Sequence, residues 1–180
     1  MLKNLRMRKQ LRKEAETLYE KVVNRTRTPN FYEKYGVADT VEGRFEVLTL
    51  HAYLVFRRLK SEPNLGQELA QKTFDVMFEN VDLNLREVGV GDIGLARRIK
   101  KMAEGFYGRV DAYDRALEVD GDAKLLKQAL QRNLFNGQEV SDDSLSLIAH
   151  YVRDSDGFLA NLTRDELLSQ AKIFSDFPNG

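Results

Sequence analysis

Residues 39–60, DTVEGRFEVLTLHAYLVFRRLK, are the stretch of sequence that decides the fold. Six apolar residues repeat along it at helical spacing and three more add a second apolar face: Val41, Phe45, Leu48, Ala52, Val55 and Leu59, then Val47, Leu50 and Leu54. Charged side chains stand only near its two ends. A helix that is apolar nearly all round is a buried one, so we expect this segment to be the central element of the core. Asp39 followed by Glu42 three residues later predicts a capping box at its start.

Helical spacing continues on both sides of this segment. Toward the N-terminus we predict a helix over residues 3–25, and Pro29 ends it. Toward the C-terminus we predict a helix from about Leu69 that Gly89 closes, and a long helix over about 93–119 that Asp92 caps. The long helix contains two interior glycines, Gly105 and Gly108. Because each costs about 1 kcal/mol relative to alanine, we expect another helix backbone or a bound segment to approach closely there.

The last third of the chain predicts shorter helices after a break at residues 120–122. These helices cover about 123–135, closed by Gly137, then a segment capped by Ser141 or Asp142, and a short last helix opened by a capping box at Thr163–Glu166. We expect the tail from Ile173 to Gly180 to fray or to pack loosely. No alternating strand pattern competes anywhere. The sequence thus predicts an all-α fold, a single helical domain of about six to seven helices with a basic N-terminal helix.

Composition excludes several classes of function. The chain contains no cysteine, which rules out disulfides, thiolate catalysis and Cys-ligated metal sites. No apolar run approaches the roughly 18 residues that span a bilayer, and no signal-peptide pattern follows the basic N-terminal residues, so we expect a cytoplasmic protein. There are two histidines, His51 and His150, and no Glu-x-x-His pair of the kind that helical di-iron sites use. We therefore predict no catalytic residue, no metal site and no cofactor, and hence not an enzyme.

Three polar features could nevertheless carry chemistry. Asp75, Glu79 and Asp82 share one helical face with Arg86, which is either a carboxylate cluster or, as we favour, a solvated face with an Asp82–Arg86 pair. His51 is either an acid–base group or, as we favour, a hydrogen-bonded core or interface histidine. Residues 89–94 superficially echo a phosphate loop, but they follow a helix and lack Gly-Lys-Ser/Thr, so a corner between helices is the plainer interpretation.

Charge is distributed unevenly along the chain. Residues 1–27 hold nine Lys or Arg against three Glu, a net charge of +6, and residues 28–180 carry −6. Six of these cations belong to the first half of the predicted helix: Lys3, Arg6, Arg8, Lys9, Arg12 and Lys13. They could contact an anionic membrane surface or ribosomal RNA, or they could simply keep an exposed helix solvated. We divide the chain into a basic N-terminal helix at 1–27 and a helical domain at 28–180.

Two blocks of sequence are more specific than this periodicity. The first is FYEKYGVADTVEGRFE at 31–46, followed by Leu50-His51 and Arg57-Arg58-Leu59. The second runs from FDVMF at 74–78 through DLNLREVGVGD at 82–92 and KMAEGFYGR at 101–109 to Tyr113. Together they cover about half of the chain, and in their order and spacing they resemble the ubiquinol-cytochrome c chaperone family.

The resemblance implies an assembly factor rather than an enzyme. Mitochondrial members of that family work with a partner protein near the ribosomal exit and hold newly made cytochrome b until haem insertion and assembly proceed. By resemblance this chain looks like a bacterial member, since its N-terminal helix is too acidic for a transit peptide. Its client would be cytochrome b of ubiquinol-cytochrome c reductase or the precursor, bound by a protein peripheral to the inner membrane. We expect no specific binding of DNA.

A chaperone for a membrane subunit must hold apolar segments next to water, which calls for a concave apolar surface. We expect a partner-binding corner where the two blocks meet, and its predicted members are Asp39, Arg44, Arg86, Glu87, Asp92, Gly105, Gly108 and Arg109. Six of these, all but the glycines, could brace the corner as a polar network, or the blocks could simply pack together as core. Two other classes of function stay open: a lipid- or quinone-binding helical protein, and a ribosome or RNA adaptor.

Overall fold

A computed structural model describes residues 2–63, 65–87, 89, 91–118 and 123–178, except for the side chains of 2–4 and 92–93. The predicted break at 120–122 lies outside these residues. All regular structure within them is helical: α1 (Leu2–Thr26), α2 (Asn30–Glu33), α3 (Val41–Lys60), α4 (Gly66–Glu87), α5 (Asp92–Glu118), α6 (Ala123–Asn133), α7 (Asp142–Ala160) and α8 (Arg164–Ser169). Segment α2 is a single turn, which leaves seven helices in the described part of the chain. The predicted all-α fold is confirmed.

Helix α3 is the centre of the molecule, as the sequence predicts. Twelve of its twenty residues are buried, which is more than in any other described helix. It packs against α1, α4, α5 and α7. A helix surrounded on this scale has no solvated face in its middle, which is why its charged residues stand only near the two ends.

The start of α3 differs from the predicted cap. Thr40, not Asp39, is the N-cap residue, and its hydroxyl accepts a hydrogen bond of 3.1 Å from the backbone N–H of Gly43. Asp39 lies one residue too early for that bond and accepts from Nε of Arg44 instead, at 2.5 Å. Two other caps are confirmed, since Ser141 caps α7 and Thr163 forms a full capping box with Glu166. Asp92, predicted to cap the long helix, is instead the first residue of α5, and its side chain lies outside the description.

The C-terminal segment contradicts the prediction of a loose tail. Ile173 and Phe174 are buried, and the Phe177 ring stacks on Tyr151 with the centroids 4.8 Å apart. The guanidinium of Arg25 lies 4.1 Å from the Phe177 ring centre and donates to the backbone oxygen of Ser175 at 2.5 Å. The segment is not helical, so it carries no periodicity by which sequence reasoning could have detected its burial.

His51 is a core histidine, as predicted. It is fully buried on α3, and its Nδ1 lies 2.7 Å from the carbonyl oxygen of Val47. Because a carbonyl can only accept, Nδ1 carries the proton and Nε2 accepts from the hydroxyl of Tyr151 at 2.8 Å. That hydroxyl in turn accepts from Nε of Arg25. Burial lowers the pKa of His51 to about 3, so the ring is neutral at physiological pH.

The glycines of α5 do not mark a close helix contact, so that prediction is wrong. A β-carbon at Gly108 would meet nothing within 4 Å, and one at Gly105 would meet only the guanidinium of Arg109, at 2.8 Å. The tight contacts lie elsewhere. A β-carbon at Gly43 would sit 1.9 Å from the carbonyl oxygen of Ala38, and one at Gly66 would sit 2.3 Å from that of Leu59. The alternative that a bound segment approaches the α5 glycines stays a prediction.

Candidate functional site

A two-lobed depression lies where the start of α3 meets α4 and α5, and we call it the Val41 cleft. Its two lobes share three lining residues, Val41, Phe45 and Met102. Val41 is the first residue of the central helix, yet it is 48% exposed. An exposed β-branched residue at the mouth of a depression is available to a partner, whereas the rest of the α3 stripe is used in the core.

The first lobe is apolar and small, at about 270 Å³. It lies among α1, α3, α4 and α5, and besides the shared residues its apolar walls are Tyr19, Val23, Leu48, Val81 and Leu85. Two exposed arginines, Arg27 and Arg44, also line it. Arg44 is held by its bond to Asp39 and by the ring of Tyr32, whose centre lies 5.2 Å away. The lobe therefore pairs apolar walls with positive charge.

The second lobe is larger, at about 750 Å³, and more charged side chains line it than line the first lobe. It lies between the start of α3, the middle of α5 and the loop after α6. Two ion pairs cross it from α3 to α5, one between Glu42 and Arg98 at 2.6 Å and one between Glu46 and Arg109, which is bidentate. The hydrogen bonds that Arg109 donates to the Glu46 carboxylate raise the pKa of Arg109 above its ordinary value. The Glu46–Arg109 pair is largely buried and joins the two walls, whereas the Glu42–Arg98 pair is exposed and contributes little to their separation.

The cleft gathers only part of the predicted corner. Arg44, Gly105 and Arg109 line it, and Asp39 bonds to Arg44. Arg86 and Glu87 lie at the end of α4, where Arg86 bonds to Asp82. Arg86, Glu87 and Gly108 are not among the described residues that line the cleft. The side chain of Asp92 lies outside the description.

Among the side chains that the structure describes, the predicted polar network is seen in its Asp39–Arg44 pair. Arg109 turns instead to Glu46, an acid of α3 that the sequence analysis did not single out. The other missed members of the site are Glu42, Arg98 and Met102. Glu42 and Glu46 lie on one face of α3 at a spacing of four residues, which is the signal that could have pointed to them.

The basic residues of α1 separate into two groups. Arg12 bonds to Glu16 and Glu79, Lys21 donates to the backbone oxygens of Leu167, Leu168 and Gln170, and Arg25 lies on Tyr151 and Phe177. These three cations are used to hold the fold together. Arg6, Arg8, Lys9 and Lys13 are exposed, and the side chain of Lys3 lies outside the description.

The acidic face of α4 is a solvated and paired surface, as the sequence favours. Asp75 bonds to Lys72, Glu79 to Arg12 and Asp82 to Arg86. Within the described residues no group of three or more His, Cys, Asp or Glu could hold a metal ion. No helix in the described part of the chain is both long and apolar enough to cross a bilayer.

Comparison with known proteins gives consistent matches. The model of the ubiquinol-cytochrome C chaperone family matches residues 33–174. A relative from Xenopus laevis, ubiquinol-cytochrome-c reductase complex assembly factor 1, is 30% identical over 88% of this chain and 78% of its own length. The human protein of the same name is 26% identical over 88% of this chain, which spans about half of the human chain, at 52%. The crystal structure of the Cbp3 homolog from Brucella abortus superposes with a TM-score of 0.82 at 35% identity, over 98% of both chains.

Proposed function

The chain belongs to the ubiquinol-cytochrome c chaperone family, and from this we propose that it is an assembly factor for ubiquinol-cytochrome c reductase that holds cytochrome b, or its precursor, at the inner face of the membrane. In this proposal it acts by presenting a shaped surface and makes or breaks no covalent bond. The names of its relatives support the class of function, since four of them are assembly factors of that complex. We propose that the Val41 cleft is the surface that receives the client.

One observation carries the choice of this surface: Val41 is nearly half exposed at the mouth of a depression whose walls are joined by the Glu46–Arg109 ion pair. A membrane subunit outside the bilayer exposes apolar side chains that need a complementary apolar surface. The shared residues Val41, Phe45 and Met102 offer such a surface, and methionine adapts to clients of varied shape. The charged side chains of the second lobe and the rim arginines fit the charged residues that flank a membrane segment.

Binding of a quinone or lipid is the second candidate, and the apolar lobe with its two arginines favours it. The lobe is open, and its volume of about 270 Å³ is below the roughly 300–1,000 Å³ that is typical of small-molecule sites. We therefore expect native mass spectrometry of gently purified protein to show the mass of the chain alone. A reproducible adduct of lipid or quinone mass would favour the second candidate.

Replacement of Val41 by aspartate tests the client-binding proposal. Val41 occupies the first turn of α3, where a carboxylate interacts favourably with the helix dipole, so Val41→Asp should fold normally while placing a charge on the apolar surface. In cells that lack the wild-type gene, this variant should lower the amount of assembled ubiquinol-cytochrome c reductase. The amount is measured from the reduced-minus-oxidised haem spectrum of isolated membranes.

Leu83→Asp is the matched control, because Leu83 is 58% exposed and lies on the opposite face of α4 from the lining residues Val81 and Leu85. It should restore assembly to the wild-type level. Far-UV circular dichroism of both purified variants shows that each one is folded. If a folded Val41→Asp variant supported the wild-type amount of assembled complex, the Val41 cleft would not be the client-binding surface. If the deletion strain itself assembled the wild-type amount, the proposed function would be refuted.

A further inference from the structure

We propose that the first part of α1 is a membrane-binding element that docks on a bilayer containing anionic phospholipid. We call it the α1 tip and define it as residues 5–13. The inference deepens the proposed function by naming how the protein reaches the membrane, but it needs no particular client. It follows from three features of the α1 tip: exposed aliphatic side chains, unpaired cations and the groove beside them.

Two aliphatic residues of the α1 tip are largely exposed and do not belong to the buried core. Leu5 is 67% exposed and Met7 is 50% exposed, whereas Ala15, Leu18 and Val22 further along the same helix are buried. Leu5 and Met7 are separated by about 200° around the helix, so both enter a bilayer only when the end of α1, rather than one of its sides, faces the membrane. Such groups gain free energy when they enter the boundary between lipid headgroups and acyl chains.

The cations of the α1 tip are available for an external anion. Within the described part of the chain, Arg6, Arg8, Lys9 and Lys13 form no ion pair, while Arg12 bonds to both Glu16 and Glu79. The bond to Glu79 of α4 fixes this part of α1 against the body. The α1 tip therefore presents four free charges from a helix of defined position.

An open groove of about 1,460 Å³ separates the α1 tip from the start of α4. Its cationic lining is Arg6, Arg8, Lys9, Arg12, Lys13 and Lys72, and its acidic lining is Glu16, Glu68 and Asp75, which gives a net charge of +3. Four of these nine charges are already bonded within the molecule: Arg12, Glu16, Lys72 and Asp75. The remaining positive excess faces solvent where phosphate headgroups could enter.

The residue types favour a lipid surface over RNA. Proteins that bind single-stranded nucleic acid supply aromatic rings for base stacking, and the α1 tip contains none. It supplies leucine and methionine, which have no stacking partner in RNA but do partition into a bilayer interface. Its cations alone would serve either partner, so the aliphatic residues decide the choice.

Cosedimentation of the full chain with lipid vesicles tests the proposal. Vesicles of phosphatidylcholine with about 30% phosphatidylglycerol should bind the protein, pure phosphatidylcholine should bind it weakly, and added salt should release it. Two variants separate charge from apolar contact. Arg6→Glu/Arg8→Glu/Lys9→Glu should weaken binding by at least about 100-fold, because each lost cation accounts for about fivefold. Leu5→Ser/Met7→Ser should weaken it by about tenfold or more.

Two control variants match these changes at other places on the surface. Arg97→Glu/Lys100→Glu/Arg115→Glu alters net charge equally on exposed residues of α5, and Leu83→Ser/Leu125→Ser removes exposed leucines of α4 and α6. Both should bind the vesicles like wild type. Equal loss in the α5 charge control would overturn the proposal, because binding would then follow total charge.

Retention of vesicle binding by Leu5→Ser/Met7→Ser would overturn it as well. A different result would assign the α1 tip to RNA instead. The wild-type protein would then not bind vesicles but would cosediment with ribosomes, and charge reversal would abolish that cosedimentation while Leu5→Ser/Met7→Ser kept it. Since these assays use purified protein and no client, their failure would leave the assembly measurement on Val41→Asp unaffected.

Discussion

Replacing Gly43 by alanine should destabilise the fold, because this glycine is the tightest backbone contact next to the Val41 cleft. An alanine β-carbon there would lie 1.9 Å from the carbonyl oxygen of Ala38, and real β-carbons essentially never come closer than 3.0 Å to such an atom. The backbone must therefore open by about 1 Å at this point. No side-chain rotation can relieve the contact, since the opposing atom belongs to the main chain.

Three contributions set the magnitude of the Gly43→Ala effect. Over-packing of this kind costs about 1–3 kcal/mol. Movement of the 38–40 segment weakens the Thr40 cap, which contributes about 1 kcal/mol, and the better helix propensity of alanine offsets about the same amount. The net loss in the free energy of unfolding is therefore about 1–3 kcal/mol.

Gly108→Ala is the matched control in the same kind of secondary structure. A β-carbon at Gly108 meets nothing within 4 Å, so only the propensity gain operates and the variant should be more stable than wild type by about 1 kcal/mol. Urea unfolding followed by far-UV circular dichroism measures both changes. A Gly43→Ala variant as stable as wild type, or a destabilised Gly108→Ala variant, would refute the reasoning about these contacts.

Three further predictions concern the core. The pKa of His51 is about 3 in the folded chain, against an ordinary value of 6.5, so between these pH values the unfolded chain binds one proton more than the folded chain. The contribution of His51 to the free energy of unfolding is therefore fully present above pH 6.5, and it falls by about 1.4 kcal/mol for each pH unit below 6.5. His51→Gln should abolish this slope in pH-dependent urea unfolding, and the exposed His150→Gln should keep it. Glu46→Gln should cost about 1–3 kcal/mol by leaving the half-buried Arg109 without its carboxylate, and a loss below about 0.5 would show that the pair is not needed. Phe177→Ala should cost about 1–3 kcal/mol in the same assay and expose residues 173–178 to proteolysis, whereas unchanged protection would contradict their packing role.

The helices could be predicted from sequence because their apolar residues repeat with the period of the helix. The stripe from Val41 to Leu59 identifies α3 as the central helix, since no other segment is apolar on so many sides. Gly89 and Gly137 were predicted to close helices and both have positive φ, at +86° and +74°. Local rules of this kind depend only on neighbours along the chain.

Two of the errors, at the α5 glycines and in the C-terminal segment, concern contacts between segments that are distant in the chain, whereas the cap at Thr40 is a local error. The small stripe at Gly105 and Gly108 suggested a close helix, but periodicity does not reveal which face of α5 meets solvent. The contacts that do require glycine are at Gly43, against Ala38, and at Gly66, against Leu59. Phe174 and Phe177 lie in a non-helical segment, and contacts with distant residues such as His51 and Tyr151 explain why they pack against the core.

The sequence predicts the region of the candidate site but not all of the residues that line it. The two sequence blocks do meet at the Val41 cleft, and Arg44, Gly105 and Arg109 were named from sequence. Glu46 shares a face of α3 with Glu42, but spacing along α3 does not reveal that its partner Arg109 lies on α5, and the sequence marks no role for Met102. The exposure of Val41 was likewise hidden, since its position in the stripe predicts burial.

Site-specific photo-crosslinking in living cells tests the central claim most directly. A photoreactive amino acid in place of Val41 should give a crosslinked product that mass spectrometry identifies as cytochrome b, and its yield should fall when synthesis of cytochrome b is stopped. The same amino acid in place of Leu125, which is 40% exposed on α6, serves as the control and should not give that product. Absence of a cytochrome b product at position 41, or an equal product at position 125, would contradict the account.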